Sequence, residues 1–153
     1  MQEKFRAEIK IMARKYPTKA PTQLIKLLFH GSSNTDPRSI YNSEEGLDMR
    51  FSRAGMYGQG IYFADNSKYS IRYAFPVPRE RNVEEFGVAE DIQLHQMFVC
   101  FVAVGNPAEL KAQDGSLRMP PLIEGGNGKD QVARYDSVVN AKGDHTIIYT
   151  NSR

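Results

Sequence analysis

The stretch GMYGQGIYFAD, residues 55–65, places glycines at 55, 58 and 60 directly ahead of the apolar run Ile61-Tyr62-Phe63-Ala64. Glycine weakens a strand or helix and is useful where backbone must pass close to something else. The spacing predicts a turn that feeds a short strand, with side chains omitted so that a neighbour can come close. LFHGSS at residues 28–33 has a similar form: an apolar run, then His30, Gly31, Ser32 and Ser33.

Around these stretches the pattern reads as mixed α and β. Phe5, Ile9, Met12 and Tyr16 fall on one helical stripe that Pro17 ends. LIKLLF is expected as a buried strand leading into His30. Asp36 and Pro37 suit the N-cap and first position of a short helix. NSKYSIRYAF is expected to be helical, capped by Asp65 or Asn66, and residues 76–94 read as a polar surface loop. MFVCFVAV is apolar at both parities and predicts a strand buried on both faces. A long loop follows from Pro107, and ARYDSVV and HTIIYT close the chain as two further strands. Strands drawn from the whole length, with no internal repeat, make a single α+β domain spanning 1–153.

Composition narrows the partners. Of 153 residues, 41% are hydrophobic, enough for a real core, and the net charge of +2 gives no electrostatic case for nucleic acid or a membrane surface. Cys100 is the sole cysteine, which predicts a reducing, intracellular setting, cytoplasmic or nuclear. The charged N-terminus lacks a signal-peptide core, and no segment approaches transmembrane length.

Several chemistries lack their residues. His30, His95 and His145 have no metal-ligand spacing with Cys100 or with one another, so no metal is expected. EGGNGKD lacks the Walker spacing and the Ser/Thr after lysine, which makes it a turn rather than a phosphate loop. No nucleophile elbow is present. What remains is a cleft built from His30, Gly31, Tyr62, Ser70 and Tyr73. Gly31 offers bare main chain to a planar amide, Ser70 and Tyr73 share a helix face, and Tyr62 and Tyr73 could bracket a flat heterocycle such as nicotinamide. Each taken alone is more often a structural residue.

LFHGSS, GMYGQGIYFADNSKYSIRYAF, MFVCFVAVGNP and YDSVV, in that order, resemble the catalytic domain of the poly(ADP-ribose) polymerase (PARP) family of ADP-ribosyltransferases. The resemblance runs from about Leu24 to Tyr149. It implies split antiparallel β-sheets around an NAD cleft, preceded by an N-terminal helix. His30 would bond the adenosine ribose, and Gly31, Ser32 and Ser70 would belong to the NAD-binding set, with Gly31 and Ser70 on the carboxamide. Tyr73 would stack on nicotinamide with Tyr62 across from it, and SRAGMYG would form a short donor loop. Catalytic roles fall on His30, Tyr62 and His145, and the opening glycines would let backbone approach the dinucleotide.

Two departures shape the functional expectation. Polymerising members carry a glutamate where aligning HTIIYT puts His145; Asp144 next to it points to the opposite face of the strand. The family domain also continues into a closing strand, so the resemblance implies either a chain truncated at its C-terminus or a sheet that lacks a strand and leaves an edge unpaired. The resemblance thus implies an NAD-dependent mono-ADP-ribosyltransferase that releases nicotinamide and modifies a protein, itself among the candidates. The alternative is a catalytically silent module that binds NAD or a partner protein.

Overall fold

The computed structural model describes residues 2–123 and 133–151; EGGNGKD lies outside them. Helix α1 (Gln2–Lys15) forms on the expected stripe, and Met12 is buried with Leu24 and Ala103 while Phe5, Ile9 and Tyr16 pack around them. Strand β1 (Ile25–His30) follows, then α2 (Pro37–Tyr41), whose Asp36 cap accepts from the Arg38 amide as predicted. A two-stranded ribbon, β2 (Ala54–Gly55) and β3 (Gly58–Gln59), leads into β4 (Ile61–Ala64). Helix α3 (Ser67–Ser70) takes Asn66, not Asp65, as its cap, and tightens into a 3-10 turn, Ile71–Tyr73.

Residues 76–94 are not simply a loop. Short strands β5 (Phe75–Pro76) and β6 (His95–Gln96) pair at their two ends, and between them lies α4 (Asn82–Phe86). Arg81 bridges Asp36 and Glu85, and Arg38 reaches Glu85, which fastens this segment to α2. Buried Asn82 donates to the carbonyls of Ala89 and Ile92, giving the polar run an interior anchor that composition concealed. The expected loop after Asn106 begins as strand β8 (Pro107–Leu110), paired parallel to β9 (Ser137–Asn140).

With β7 (Phe98–Ala103) and β10 (His145–Ile148), the main sheet runs β7-β1-β4-β10-β9-β8. Buried Leu28, Ile61, Phe63, Val102, Val104 and Ile148 fill one face, and Tyr57, Ala108, Val138, Ile147 and Tyr149 the other. Two expectations about burial fail at one place. Strand β7 is an edge strand, Val99 and Phe101 being 56% and 68% exposed, and on β1 Lys26 and Leu27 are exposed as well. Leu27, Val99 and Phe101 share one face by register and are exposed, so apolar content at both parities did not mean burial at both faces.

The sheet is split in the middle. Six register pairs lace β1 to β7, whereas β1 meets β4 at one pair, Phe29↔Ala64. The Val104 amide bonds the Leu24 carbonyl, which fixes the parity of the β1–β7 ladder. The peptide groups of Phe29 and Gly31 therefore turn away from β7, toward the side where β4 diverges.

Helix α1 is tied to the far half of the sheet by a buried carboxylate. Asp136 accepts from the Tyr16 hydroxyl, from the Asn106 amide at 2.9 Å and from the Lys15 ammonium at 2.9 Å.

Candidate functional site

The split between β1 and β4 gathers most of the residues singled out above. Beyond Phe29↔Ala64 the two strands separate, and the His30 ring enters the gap. Its Nδ1 lies 2.8 Å from the Tyr62 carbonyl, an oxygen that a paired strand would otherwise engage. Phe63 and Phe98 flank the ring at 5.4 and 6.4 Å between centroids. Burial pushes the His30 pKa below the ordinary 6.5, against the smaller opposing effect of the Tyr62 carbonyl. A neutral ring has one N–H, and the carbonyl fixes it at Nδ1, which leaves Nε2 as an acceptor.

This arrangement has a pH signature. The unfolded chain takes up a proton on His30 near pH 6.5, whereas the folded chain takes it up only at lower pH. Stability from the neutral ring is complete above about pH 6.5 and is lost as the pH falls below it. Urea unfolding from pH 7.5 down to 5 is expected to show this loss in the parent and a flatter profile in His30→Gln. Equal slopes would remove His30 as the cause.

Gly31 follows at the lip of the split. A Cβ there would strike the Tyr73 carbonyl and lie 2.7 Å from the Ser70 carbonyl. The Ser33 amide bonds the same Tyr73 carbonyl at 2.6 Å, with Ser33 in the left-handed region at φ 52°. The bare Cα thus lets the 30–33 segment lie directly on the turn after α3. Ser70 is buried there, its hydroxyl donating to the Phe29 carbonyl at 3.1 Å, and its oxygen keeps lone pairs for another donor. His30, Gly31, Ser70 and Tyr73 are therefore brought to one place. Ser32 spends its hydroxyl locally, on the Thr35 carbonyl at 2.8 Å.

The two tyrosines are held in different ways. Ser70 turns inward while Tyr73 is 46% exposed, because the helix tightens between them. Tyr62 is packed in the core beside Tyr57 and Ile147. Its hydroxyl donates to the Gly58 carbonyl at 2.8 Å and accepts from the Tyr57 amide at 2.9 Å. It pins the 55–60 turn, and among the described residues it makes no ring contact with Tyr73. The aromatic neighbour of Tyr73 is Tyr69, at 5.5 Å and 46°. Sequence reading missed Tyr69; its signal was the i,i+4 spacing to Tyr73.

A Cβ at Gly55 would lie 2.8 Å from the Tyr62 hydroxyl, one at Gly58 would meet the Leu117 backbone, and one at Gly60 would strike Ile147. At each of the three, the space a Cβ would need is taken by the protein's own chain.

His145 lies opposite Ala64, on the same sheet face as Tyr62 and Ile147. Its amide bonds the Asn140 side-chain oxygen at 3.0 Å, and its ring rests 4.0 Å from Tyr69. Asp144 is held ionised, first by the Asn140 amide at 2.6 Å and further by nearby His145 and Lys142. Tyr69 thus stands between His145 and Tyr73. A cavity of about 250 Å³ on this flank is lined by Met56, Tyr57, Gln113, Asn140, Ala141, Lys142, Asp144 and His145. It shares only His145 with the predicted site residues, so the predicted set divides between the split and this flank.

Comparison with known proteins agrees with this architecture. The model of the poly(ADP-ribose) polymerase catalytic domain matches residues 1–148. A Dictyostelium discoideum protein described as a "probable poly [ADP-ribose] polymerase" is 35% identical over 99 residues, covering 65% of this chain and 26% of that protein. The human protein mono-ADP-ribosyltransferase PARP12 is 32% identical over 123 residues, covering 79% of this chain and 14% of that protein. The chain spans about a quarter of the first relative and a seventh of the second. With nearly its whole length matched, the chain belongs to the poly(ADP-ribose) polymerase catalytic-domain family.

Proposed function

We propose that the chain is an NAD-dependent protein ADP-ribosyltransferase that attaches single ADP-ribose units and releases nicotinamide. The observation that carries this reading is the split itself. The Gly31 peptide groups, the Ser70 hydroxyl, the exposed face of Tyr73 and the acceptor nitrogen of His30 converge where β1 leaves β4. A planar primary amide suits this set: peptide groups and a hydroxyl for its polar edge, an aromatic ring for its face. His30 suits a ribose hydroxyl, since Nε2 can accept where Nδ1–H is already committed.

The dinucleotide supplies an activated bond from ribose C1 to the nicotinamide nitrogen; that bond breaks, C1 bonds to the acceptor, and the acceptor gives up its proton. The chain's part is to hold both ends of the dinucleotide so that C1 is presented, and orientation of this kind is a large share of transferase catalysis. His145 in place of a carboxylate favours single additions over chain growth. That His145 is tied by Asn140 and Tyr69 favours a second reading, a silent NAD-binding module.

Incubation with labelled NAD separates the two. Nicotinamide release together with single ADP-ribose units on protein, read by mass spectrometry, is the expected result. NAD binding by calorimetry with no release would leave the silent module, and absence of binding would overturn both.

A further inference from the structure

The least anchored side chain at the split is the one asked to stack. Tyr73 sits on a 3-10 turn and is 46% exposed. Its backbone is held: the carbonyl accepts from Ser33 and lies against Gly31. Its ring has one aromatic neighbour among the described residues, Tyr69.

Tyr69, in contrast, is fixed from behind. Its amide is capped by Asn66, and its ring lies 4.0 Å from His145. His145 is in turn held by its place opposite Ala64 and by Asn140. The two rings lie 5.5 Å apart between centroids, at 46°. Burial first, and then the Tyr73 hydroxyl, push the Tyr69 phenol up to about 12. The row runs from a rigid strand, through His145 and Tyr69, to the exposed ring.

We infer that Tyr69 is a positioning residue, the brace that holds the Tyr73 ring at its angle for a planar amide. This rests on the functional reading above and adds to it a residue that touches the ligand only through Tyr73. Ordering a free side chain on binding costs affinity, and a ring already held avoids that cost. An aromatic pair also has a preferred geometry that an aliphatic neighbour does not impose.

The test uses 3-aminobenzamide, a planar primary amide, titrated into parent, Tyr69→Ala, Tyr69→Leu, Tyr69→Phe and Tyr73→Ala, each checked by thermal unfolding. Tyr69→Ala and Tyr69→Leu are expected to bind about ten-fold more weakly. Tyr69→Phe, which keeps the ring, should stay within about three-fold of the parent. In the NAD reaction the loss should appear in KM, with kcat changed less. Should Tyr69→Ala fail to fold, Tyr69→Leu decides, because it retains bulk without a ring. Parent-like affinity in Tyr69→Leu, or equal losses in the Phe and Leu variants, would overturn the brace. Loss of binding in Tyr73→Ala would in that case leave the functional reading standing. A parent that does not bind the probe would overturn the functional reading and the brace with it.

Discussion

Gly31→Ala is expected to abolish measurable binding of planar amides and to lower the melting temperature by roughly 6 to 12 °C. The added methyl meets the Tyr73 carbonyl and the Ser70 carbonyl, both of them backbone atoms. A flexible side chain could swing aside, but here a whole turn must move. Overpacking costs typically about 1 to 3 kcal/mol, and a backbone collision belongs at the upper end. The turn that moves carries Ser70 and Tyr73, and its shift strains the Ser33 bond to Tyr73 and the Ser70 bond to Phe29. Stability and binding should therefore fall together. Calorimetry beside thermal unfolding checks this, and a variant that melts and binds like the parent would show that the 30–33 segment does not depend on its contact with the turn.

Asp136→Ala is expected to be the most destabilising change outside the site, at about 2 to 5 kcal/mol. The carboxylate serves the Tyr16 hydroxyl, the Asn106 amide and Lys15. Removing it strands the first two in a partly buried place, and an orphaned donor costs about 1 to 3 kcal/mol. Lys15 is 40% exposed and recovers water, so it adds little. At this chain length the expected fall in melting temperature is roughly 5 to 15 °C. Asp136→Asn keeps an acceptor and should lose less. Equal losses in both variants would point to charge, not hydrogen bonding, as the source of stability.

Much of the fold was legible because local rules and tertiary demands agreed. The stripe of Phe5, Ile9, Met12 and Tyr16 met a real core, and Asp36 capped the helix that Pro37 begins. Where they diverged, the reason is visible. Strand β7 is apolar on both faces by composition, yet its position at the sheet edge leaves Phe101 exposed. Residues 76–94 looked solvated because their anchor is a buried asparagine and their fastening is ionic. His30, Gly31, Ser70 and Tyr73, which lie together at the split, were singled out by spacing and resemblance. The partners of Tyr62 and the three glycines were not, since sequence shows that something comes close without showing what. Tyr69 escaped notice because a tyrosine beside a serine on a short helix looks like any surface aromatic.

The single pair Phe29↔Ala64 has a thermal consequence. Strands β7 and β1 form one stiff plank, strands β4, β10, β9 and β8 another, and between them stand one ladder pair, the His30 ring and the Ser70 hydroxyl. A molecule held at Gly31 and Ser70 already joins the end of β1 to the helix that follows β4, whereas one that also reaches His30 holds β1 at a second point along the seam. Because a ligand stabilises by its differential affinity for the closed state, ligands of equal affinity need not protect this seam equally. Amide exchange at Phe29, Gly31 and Ala64 would slow most under a dinucleotide that spans the gap, and less under nicotinamide alone at matched saturation.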